Sequence, residues 1–291
     1  MKAMYRIWMA SAIVLLAASC SNENEVMEDI NKQEIELELL HPSTRVTDTN
    51  FEAQDKIGVY MTAEGTDLQM GGNELNNELF THNGSAWTSA RKCYWNEGKH
   101  NIYAYYPYAA GISDTENYPF TVNTDQSASV SEGLSGYEAS DFLWASATGV
   151  AASANPVALK FGHCMSKVKV VLAKSTDYAG DIPANCEVYI HNMVPTALID
   201  LQSGSAEVSP YAAVKSVKCC KVSNTEFVAC VVPQRIASRR PLVEVCTSNV
   251  SYMLEGVISL KQGYQSTITV TLSQSPEQVA IEIGGGIDNW D

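Results

Sequence analysis

Apolar and polar residues alternate with a period of two along most of this chain. In 34–40, for example, Ile35, Leu37 and Leu39 are separated by glutamates. The same alternation recurs in segments 56–62, 157–161, 167–172, 186–193, 226–233 and 267–272. Apolar residues at helical spacing are scarce, and clusters of Gly, Asn, Asp and Ser separate the alternating segments. The pattern therefore predicts an all-β fold of β-sandwiches, built from antiparallel sheets with one solvent face each.

One long segment in the middle of the chain breaks this pattern. Residues 123–156 are rich in Ser, Ala, Gly and Thr, with one apolar island at 141–145. Such a stretch predicts a loop region that closes one domain. We therefore expect two β-sandwich domains in tandem, over residues 34–155 and 156–291, and the length of 291 residues suits two domains of ordinary size.

The first residues predict export from the cytoplasm. A basic start precedes an apolar run over 7–18, which is too short to span a membrane, and small residues follow. We assign residues 1–19 as a signal peptide. The sequence at 16–20 resembles a bacterial lipobox, which makes Cys20 the lipid attachment residue of the mature chain. The alternative is a plain secretory signal followed by an incidental cysteine.

The segment after Cys20 is polar and acidic, and it lacks residues that form a core. Residues 20–33 are therefore expected to act as a tether. The stretch also resembles the acidic export signal of surface lipoproteins in Bacteroidetes, although a solvated acidic linker is an equal alternative. Together these features predict an outer-membrane lipoprotein that is exposed at the cell surface.

Charge and cysteine content narrow the functional classes. The net charge of −14 argues against nucleic acid and against anionic membrane surfaces as partners, because both need a clustered positive patch. Of the eight cysteines, seven remain if Cys20 is acylated. An odd number without any C-x-x-C pair predicts mostly buried thiols, with one or two bridges at most.

No residues form a convincing catalytic or metal-binding motif, and we expect neither a cofactor nor enzyme activity. His163 and Cys164 are adjacent on a predicted strand, so their side chains face opposite ways. An aromatic cluster at 94–108 is the remaining candidate site. Tyr103 and Tyr105 share one strand face, where they either pack the core or form a stacking platform for glycans.

Several segments, taken together and in order, resemble the fimbrillin-like (Mfa-type) family of Bacteroidetes surface lipoproteins. The matching positions are 44–47, 51–60, Trp87, 94–95, 102–108, 141–145, 159–168, 263–264 and 287–290. Gln54 stands where the family usually has a glycine before the aspartate. The resemblance implies two β-sandwich domains of transthyretin-like or immunoglobulin-like type, in a fimbrial subunit that is made as a lipoprotein precursor.

The resemblance also implies a mode of assembly, in which an arginine-specific protease removes the segment before the first domain. A neighbouring subunit then adds a strand to the vacated groove. On this sequence the cleavage site would be Arg45 and Val46, and the strand removed would be 34–40. The donor segment would be 277–291, with Val279, Ile281 and Ile283 as its apolar residues. The alternative is that both terminal strands pair within their own domains.

The sequence thus predicts a structural or adhesive subunit of a bacterial surface fimbria. Its expected partners are other fimbrial subunits, the outer membrane through the lipid, and host or bacterial surface glycans or proteins. The alternative function is a monomeric, surface-anchored, glycan-binding lipoprotein.

Overall fold

Strands form where the alternating pattern predicts them, and they account for most of the described chain. A computed structural model describes residues 33–42, 51–130, 134–247, 250–275 and 279–290. In this part of the chain there are twenty strands: β1 Leu37–Leu40, β2 Lys56–Ala63, β3 Leu75–His82, β4 Trp87–Ser89, β5 Lys99–Tyr106, β6 Tyr118–Thr121, β7 Leu143–Ala151, β8 Val157–Lys160, β9 Gly162–His163, β10 Ser166–Lys174, β11 Glu187–Met193, β12 Thr196–Ile199, β13 Ala206–Val208, β14 Lys215–Lys218, β15 Cys220–Lys221, β16 Glu226–Val231, β17 Arg235–Cys246, β18 Ser251–Ser259, β19 Tyr264–Leu272 and β20 Ala280–Asn289.

The first half of the chain forms a sandwich around its own core. Its larger layer is a six-stranded antiparallel sheet in the order β4-β3-β2-β5-β7-β9, and the facing layer is the β1-β8 pair. The alternating apolar residues of β2 point into the space between the layers, where Ile57, Val59 and Met61 are buried. Ile35 and Leu37 come from the other layer and complete this core.

The second half forms another sandwich. A five-stranded sheet in the order β15-β16-β10-β19-β20 faces a four-stranded sheet in the order β14-β11-β17-β18. The core between them is lined by alternating residues, including Val168 and Val170 of β10 and Ile268 and Val270 of β19. The fold class is therefore the predicted all-β sandwich.

A third core, which the sequence pattern did not predict, joins the two sandwiches. A three-stranded sheet, β13-β12-β6, covers the outer face of β2 and β5, and Tyr60 and Tyr105 are buried beneath it. Val228 and Cys230 of β16 belong to the same core. The expectation of one solvent face per sheet is wrong for these strands, because β2, β5 and β16 are buried on both faces.

Two further expectations need correction. The segment 123–156 is not one loop, because its second part forms the nine-residue strand β7 in the middle of the six-stranded sheet. Small residues fill that strand, which weakened its strand pattern. Two sheets also contain parallel pairs, since β1 pairs with β8 and β10 with β19 in parallel.

The chain passes from the first sandwich to the second after the boundary suggested by the sequence. Strands β8 and β9 follow residue 156, yet both pair with strands of the first sandwich. Strand β10, which begins at Ser166, is the first strand of the second sandwich. In addition, β6 pairs with β12, so one sheet contains strands from both sides of that boundary.

Candidate functional site

The segment 33–40, which contains β1, fills a place in the first sandwich and is bonded on one side along β1 and on the other side at residues 33–35. On one side it runs parallel to β8, where the N–H groups of Val157 and Phe161 donate to the carbonyls of Glu36 and Leu40 at 2.8 and 3.0 Å. On the other side, Ile35 N–H donates to the carbonyl of Cys93 at 2.8 Å. The segment therefore acts as an integral strand of the facing layer.

The inner side chains of this segment are part of the core. Ile35 and Leu37 are buried, Leu39 is half-buried, and Leu40 is 47% exposed. Fully burying one such aliphatic side chain contributes about 1.5–3 kcal/mol. If the segment left, the apolar surface of Leu159 and Phe161 beneath it would be uncovered, which is the condition for accepting another strand.

The predicted donor strand lies at an edge of the second sandwich. Strand β20 pairs antiparallel with β19, with Ile281 opposite Val270 and Ile283 opposite Ile268. Val279, Ile281 and Ile283 are partly buried against the second core. In this structure the donor candidates are thus paired within their own sandwich, as the alternative interpretation expects.

The triple glycine 284–286 coincides with an irregularity in that strand. Four steps along β20, from Ile283 to Ile287, face only two steps along β19, from Ile268 to Ser266. Gly284 approaches the backbone of Thr267 so closely that an added Cβ would lie 3.1 Å from its carbonyl oxygen. Glycine here therefore allows a bulge and a close backbone approach.

The end of β20 is fastened by Trp290. This side chain is buried, and its backbone N–H donates to the carbonyl of Gly263 at 3.0 Å. The indole stacks on the ring of His163, whose Nδ1 lies 2.9 Å from Asp141 Oδ1. The ammonium of Lys167 is 6.0 Å from the indole centroid, at the distance of a cation–π contact.

The tyrosine pair proposed for glycan stacking is in the interior. Tyr103 and Tyr105 lie in the third core, and Tyr105 is only 1% exposed. The hydroxyl of Tyr105 donates to Asn77 Oδ1 at 2.7 Å, and the ring stacks on Phe142 with centroids 5.7 Å apart. Burial also raises the pKa of this phenol. These contacts favour packing, because a buried ring offers no face to a sugar.

The seven cysteines in the described part of the chain are free thiols, five of them buried. Cys219 and Cys220 face different cores, as adjacent strand residues should. Burial raises the pKa of Cys164 and Cys219, so neither thiol is set up as a nucleophile. Among the described residues there is also no group of three or more His, Cys, Asp or Glu side chains that could hold a metal ion.

The remaining predicted site residues, Cys20, Arg45 and Val46, lie outside the described residues. Within the residues described, no helix is long and apolar enough to cross a membrane.

Sequence reasoning identified both terminal strands but missed what surrounds β1. The sequence places the parallel partner β8 in the other domain, and nothing in the pattern of 93–95 indicates that this segment pairs with residues 33–35. Parallel pairing between distant segments leaves no local signal in the sequence. The site is therefore recognised only from the pairing of segment 33–40 with its neighbours in the structure.

Comparison with known proteins agrees with this architecture. A protein of Bacteroides ovatus, named as a candidate fimbrium tip subunit (Fim1C), is 28% identical over 237 residues, which cover 71% of this chain. The chain spans 43% of that relative's length. A crystal structure of a candidate cell adhesion protein from Bacteroides ovatus superposes with a TM-score of 0.70 at 19% identity, covering 89% of this chain and 98% of that one.

A candidate cell adhesion protein from Bacteroides uniformis gives a TM-score of 0.65 at 20% identity, with coverage of 89% and 98% of the two chains. At these identities the structures establish the fold. The family model described as fimbrillin-like matches residues 44–290, which is most of the chain. That family consists of fimbrial and adhesion proteins and not of enzymes. The chain therefore belongs to the fimbrillin-like family, as its ordered motifs suggested.

Proposed function

We propose that this protein is a structural or adhesive subunit of a bacterial surface fimbria that assembles by strand exchange at the position of β1. The observation that carries the proposal is the placement of β1. It is a short strand inserted into the facing layer, the segment that contains it buries Ile35 and Leu37, and that segment precedes Arg45 in the sequence. Cleavage after Arg45 would remove it as one piece.

The donor candidate has the same alternation of apolar and polar side chains as the segment that it would replace. Residues 35–39 read Ile-Glu-Leu-Glu-Leu, and residues 279–283 read Val-Ala-Ile-Glu-Ile. Placed in the register of β1, Val279, Ile281 and Ile283 would take the three inner positions, and Glu282 would take the outer position of Glu38. Inner side chains of this size suit the vacated groove, and backbone hydrogen bonds to β8 would supply much of the affinity.

Strand exchange moves β20 from one sandwich to another. Its residues 279–283 lie at the sheet edge, beyond which the described chain adds no further strand. A donated strand would give up its pairing with β19 and gain pairing with β8 of a neighbouring subunit. The donor strand loses and gains a comparable number of contacts. Exchange is therefore favoured when cleavage has emptied the acceptor groove, because the donor then covers apolar surface that would otherwise be exposed.

We further propose that the chain reaches the surface as a lipoprotein precursor. The apolar signal at 1–19 and the lipobox-like sequence before Cys20 support acylation at that residue. The acidic segment that follows would keep the folded domains away from the membrane until Arg45 is cleaved.

A disulfide trap tests the exchange. In the β1-β8 ladder Glu38 is opposite Ala158, and both side chains point outward. In the proposed register Glu282 of a neighbour replaces Glu38, so fimbriae carrying Ala158→Cys with Glu282→Cys should show cross-linked ladders on non-reducing gels. In the control pair, Glu207→Cys, at an exposed residue of β13, replaces Glu282→Cys and should give no cross-linked ladder. Monomers alone from the first pair, in subunits that are incorporated into fimbriae, would refute this donor.

A further inference from the structure

A second opening lies beside β1 and does not require β1 to leave. A cleft of about 830 Å³ runs between β1 and the end of the six-stranded sheet at β4. Among the strands of the described residues, β1 pairs only with β8 and β4 only with β3, so both lie at the edges of their layers. The apolar part of the lining includes Leu37, Phe80 and Trp87. The cleft therefore has an apolar floor between two sheet edges.

The backbone of β1 presents unpaired groups to this cleft. Along residues 36–40, Glu36 and Leu40 bond to β8, and so does the intervening Glu38 by alternation. The N–H and C=O groups of Leu37 and Leu39 point the other way, and no partner for them exists in the described part of the chain. Four peptide groups are thus ready to pair with an added strand.

The chain itself shows how such a strand would pair. Residues 93–95 run antiparallel to 33–35 on this same side of β1, with Ile35 N–H bonded to Cys93 and Trp95 N–H bonded to Gln33 at 2.8 and 2.9 Å. Next to this short ladder, Lys92 Nζ lies 3.1 Å from Glu34 Oε2. The ladder stops there, and an incoming strand would continue it along Leu37 and Leu39.

The outer side of β1 specifies the charge of that strand. Glu36 and Glu38 are exposed, and neither forms an ion pair within the residues described. We propose that the cleft binds an extended segment of a partner protein in which apolar residues alternate with lysine or arginine. Its apolar side chains would face Phe80 and Trp87, and its cations would lie beside Glu36 and Glu38 as Lys92 lies beside Glu34.

The same charge rule argues against the donor candidate 279–283 of a second copy as the occupant. The strand pattern at 279–283 carries Glu282, which would face the glutamates of β1, and directly opposed like charges destabilise a strand pair. The site also needs β1 as one wall. It therefore belongs to the uncleaved chain and goes beyond the proposed strand exchange, which begins when β1 is removed.

Peptide binding to the full, uncleaved chain tests this inference. The probes are two short fluorescein-labelled peptides, one alternating valine with lysine and the other alternating valine with glutamate. We expect the lysine peptide to bind about tenfold more tightly, because two cross-strand pairs change from like to opposite charge. Hydrogen exchange at the amides of Leu37 and Leu39 should slow when the lysine peptide binds.

The matched variants locate the effect. Glu36→Gln with Glu38→Gln should reduce the affinity for the lysine peptide about threefold, because the two pairs change from opposite charge to neutral. Glu207→Gln, an exposed residue of β13, should leave the affinity unchanged. Equal affinity for both peptides, or unchanged exchange at Leu37 and Leu39, would overturn the proposal. Neither result depends on whether Arg45 is cleaved in cells, so strand exchange is judged separately by the disulfide trap.

Discussion

The indole of Trp290 lies flat on the imidazole of His163, with ring centroids 4.0 Å apart and planes 4° apart. This stack joins the last described residue to β9, a strand of the first sandwich. It also lies beside the core that the two sandwiches share, so the end of β20 is fastened to a different part of the fold from the rest of that strand. In the proposed strand exchange, β20 would have to give up this contact as well as its pairing with β19.

Removal of the Trp290 ring should weaken the fold. We expect Trp290→Ala to lower the free energy of unfolding by about 3 kcal/mol, since it leaves a cavity and an unstacked His163. Trp290→Phe keeps an aromatic face and should cost about 1 kcal/mol. Urea unfolding of both variants measures the difference. An alanine variant as stable as the original chain would show that the stack contributes nothing.

Burial of Lys167 predicts a dependence of stability on pH. Desolvation lowers the pKa of its ammonium below the ordinary 10.5 in the folded chain, so the unfolded chain binds more protons between the two values. Stability should therefore rise as the pH increases through that window and decrease as it falls. We expect Lys167→Met to raise the free energy of unfolding at pH 7 by about 1–2 kcal/mol, with a smaller gain near pH 10.

The neighbouring Lys169 supplies the control for this prediction. Its Nζ lies 2.8 Å from Glu226 Oε1, and its side chain is 28% exposed. Lys169→Met should change stability by less than about 1 kcal/mol in the opposite direction. Unfolding measured for both variants at pH 7 and pH 10 separates the two lysines, and a pH-independent gain for Lys167→Met would contradict the burial argument.

Gln54 is a strained position that glycine should relieve. Its φ of 84° lies in the left-handed region, in a turn closed by the Asp55 N–H bond to the carbonyl of Glu52 at 3.1 Å. A non-glycine residue there costs about 1 kcal/mol. Gln54→Gly should therefore raise the free energy of unfolding by up to about 1 kcal/mol, offset in part by the extra freedom of the unfolded chain.

Gly65 provides the opposite substitution. Its φ is also positive, at 79°, and its surroundings are open. A side chain at this position would therefore strain the backbone without clashing with a neighbour. Gly65→Gln should lower stability by about 1 kcal/mol. Thermal or urea unfolding of the two variants measures these changes in stability. A Gln54→Gly variant that is less stable than the original chain would contradict the prediction, because the Gln54 side chain would then stabilise the turn.

The β1 site should accept its own strand when this is offered as a peptide. A chain that begins at Val46 lacks β1, and a peptide of residues 33–42 should bind to it and raise its stability. Leu37 is buried and Leu40 is 47% exposed, so Leu37→Asp in the peptide should weaken binding more than tenfold, whereas Leu40→Asp should have little effect. Equal binding of both variant peptides would argue against insertion into the groove.

Many strands and their buried residues could be predicted from the sequence, because the alternation of apolar and polar residues is a local signal. The inward residues Ile57, Val59 and Met61 of β2 and Ile268 and Val270 of β19 are buried as their spacing predicts. The turn at Gln54 also formed in the place indicated by the family motif, although the usual glycine is absent.

The rest depended on which surfaces come together at long range. Alternation marks one face of a strand, so it did not predict that β12 would cover the other face of β5 and bury Tyr103 and Tyr105. Strand β7 was missed because alanine and serine replace the branched residues that usually mark a strand. The parallel pairing of β1 with β8, which defines the candidate site, joins segments more than a hundred residues apart.

The most direct test of strand exchange at the β1 position is the mass of the mature N-terminus, measured on protein from the native cell surface. Strand exchange at the β1 position requires the segment before Arg45 to be removed. We therefore expect fimbrial subunits that begin at Val46. Assembled subunits that all begin at an acylated Cys20 would contradict this expectation, because β1 would still occupy the groove that the neighbouring strand is proposed to fill.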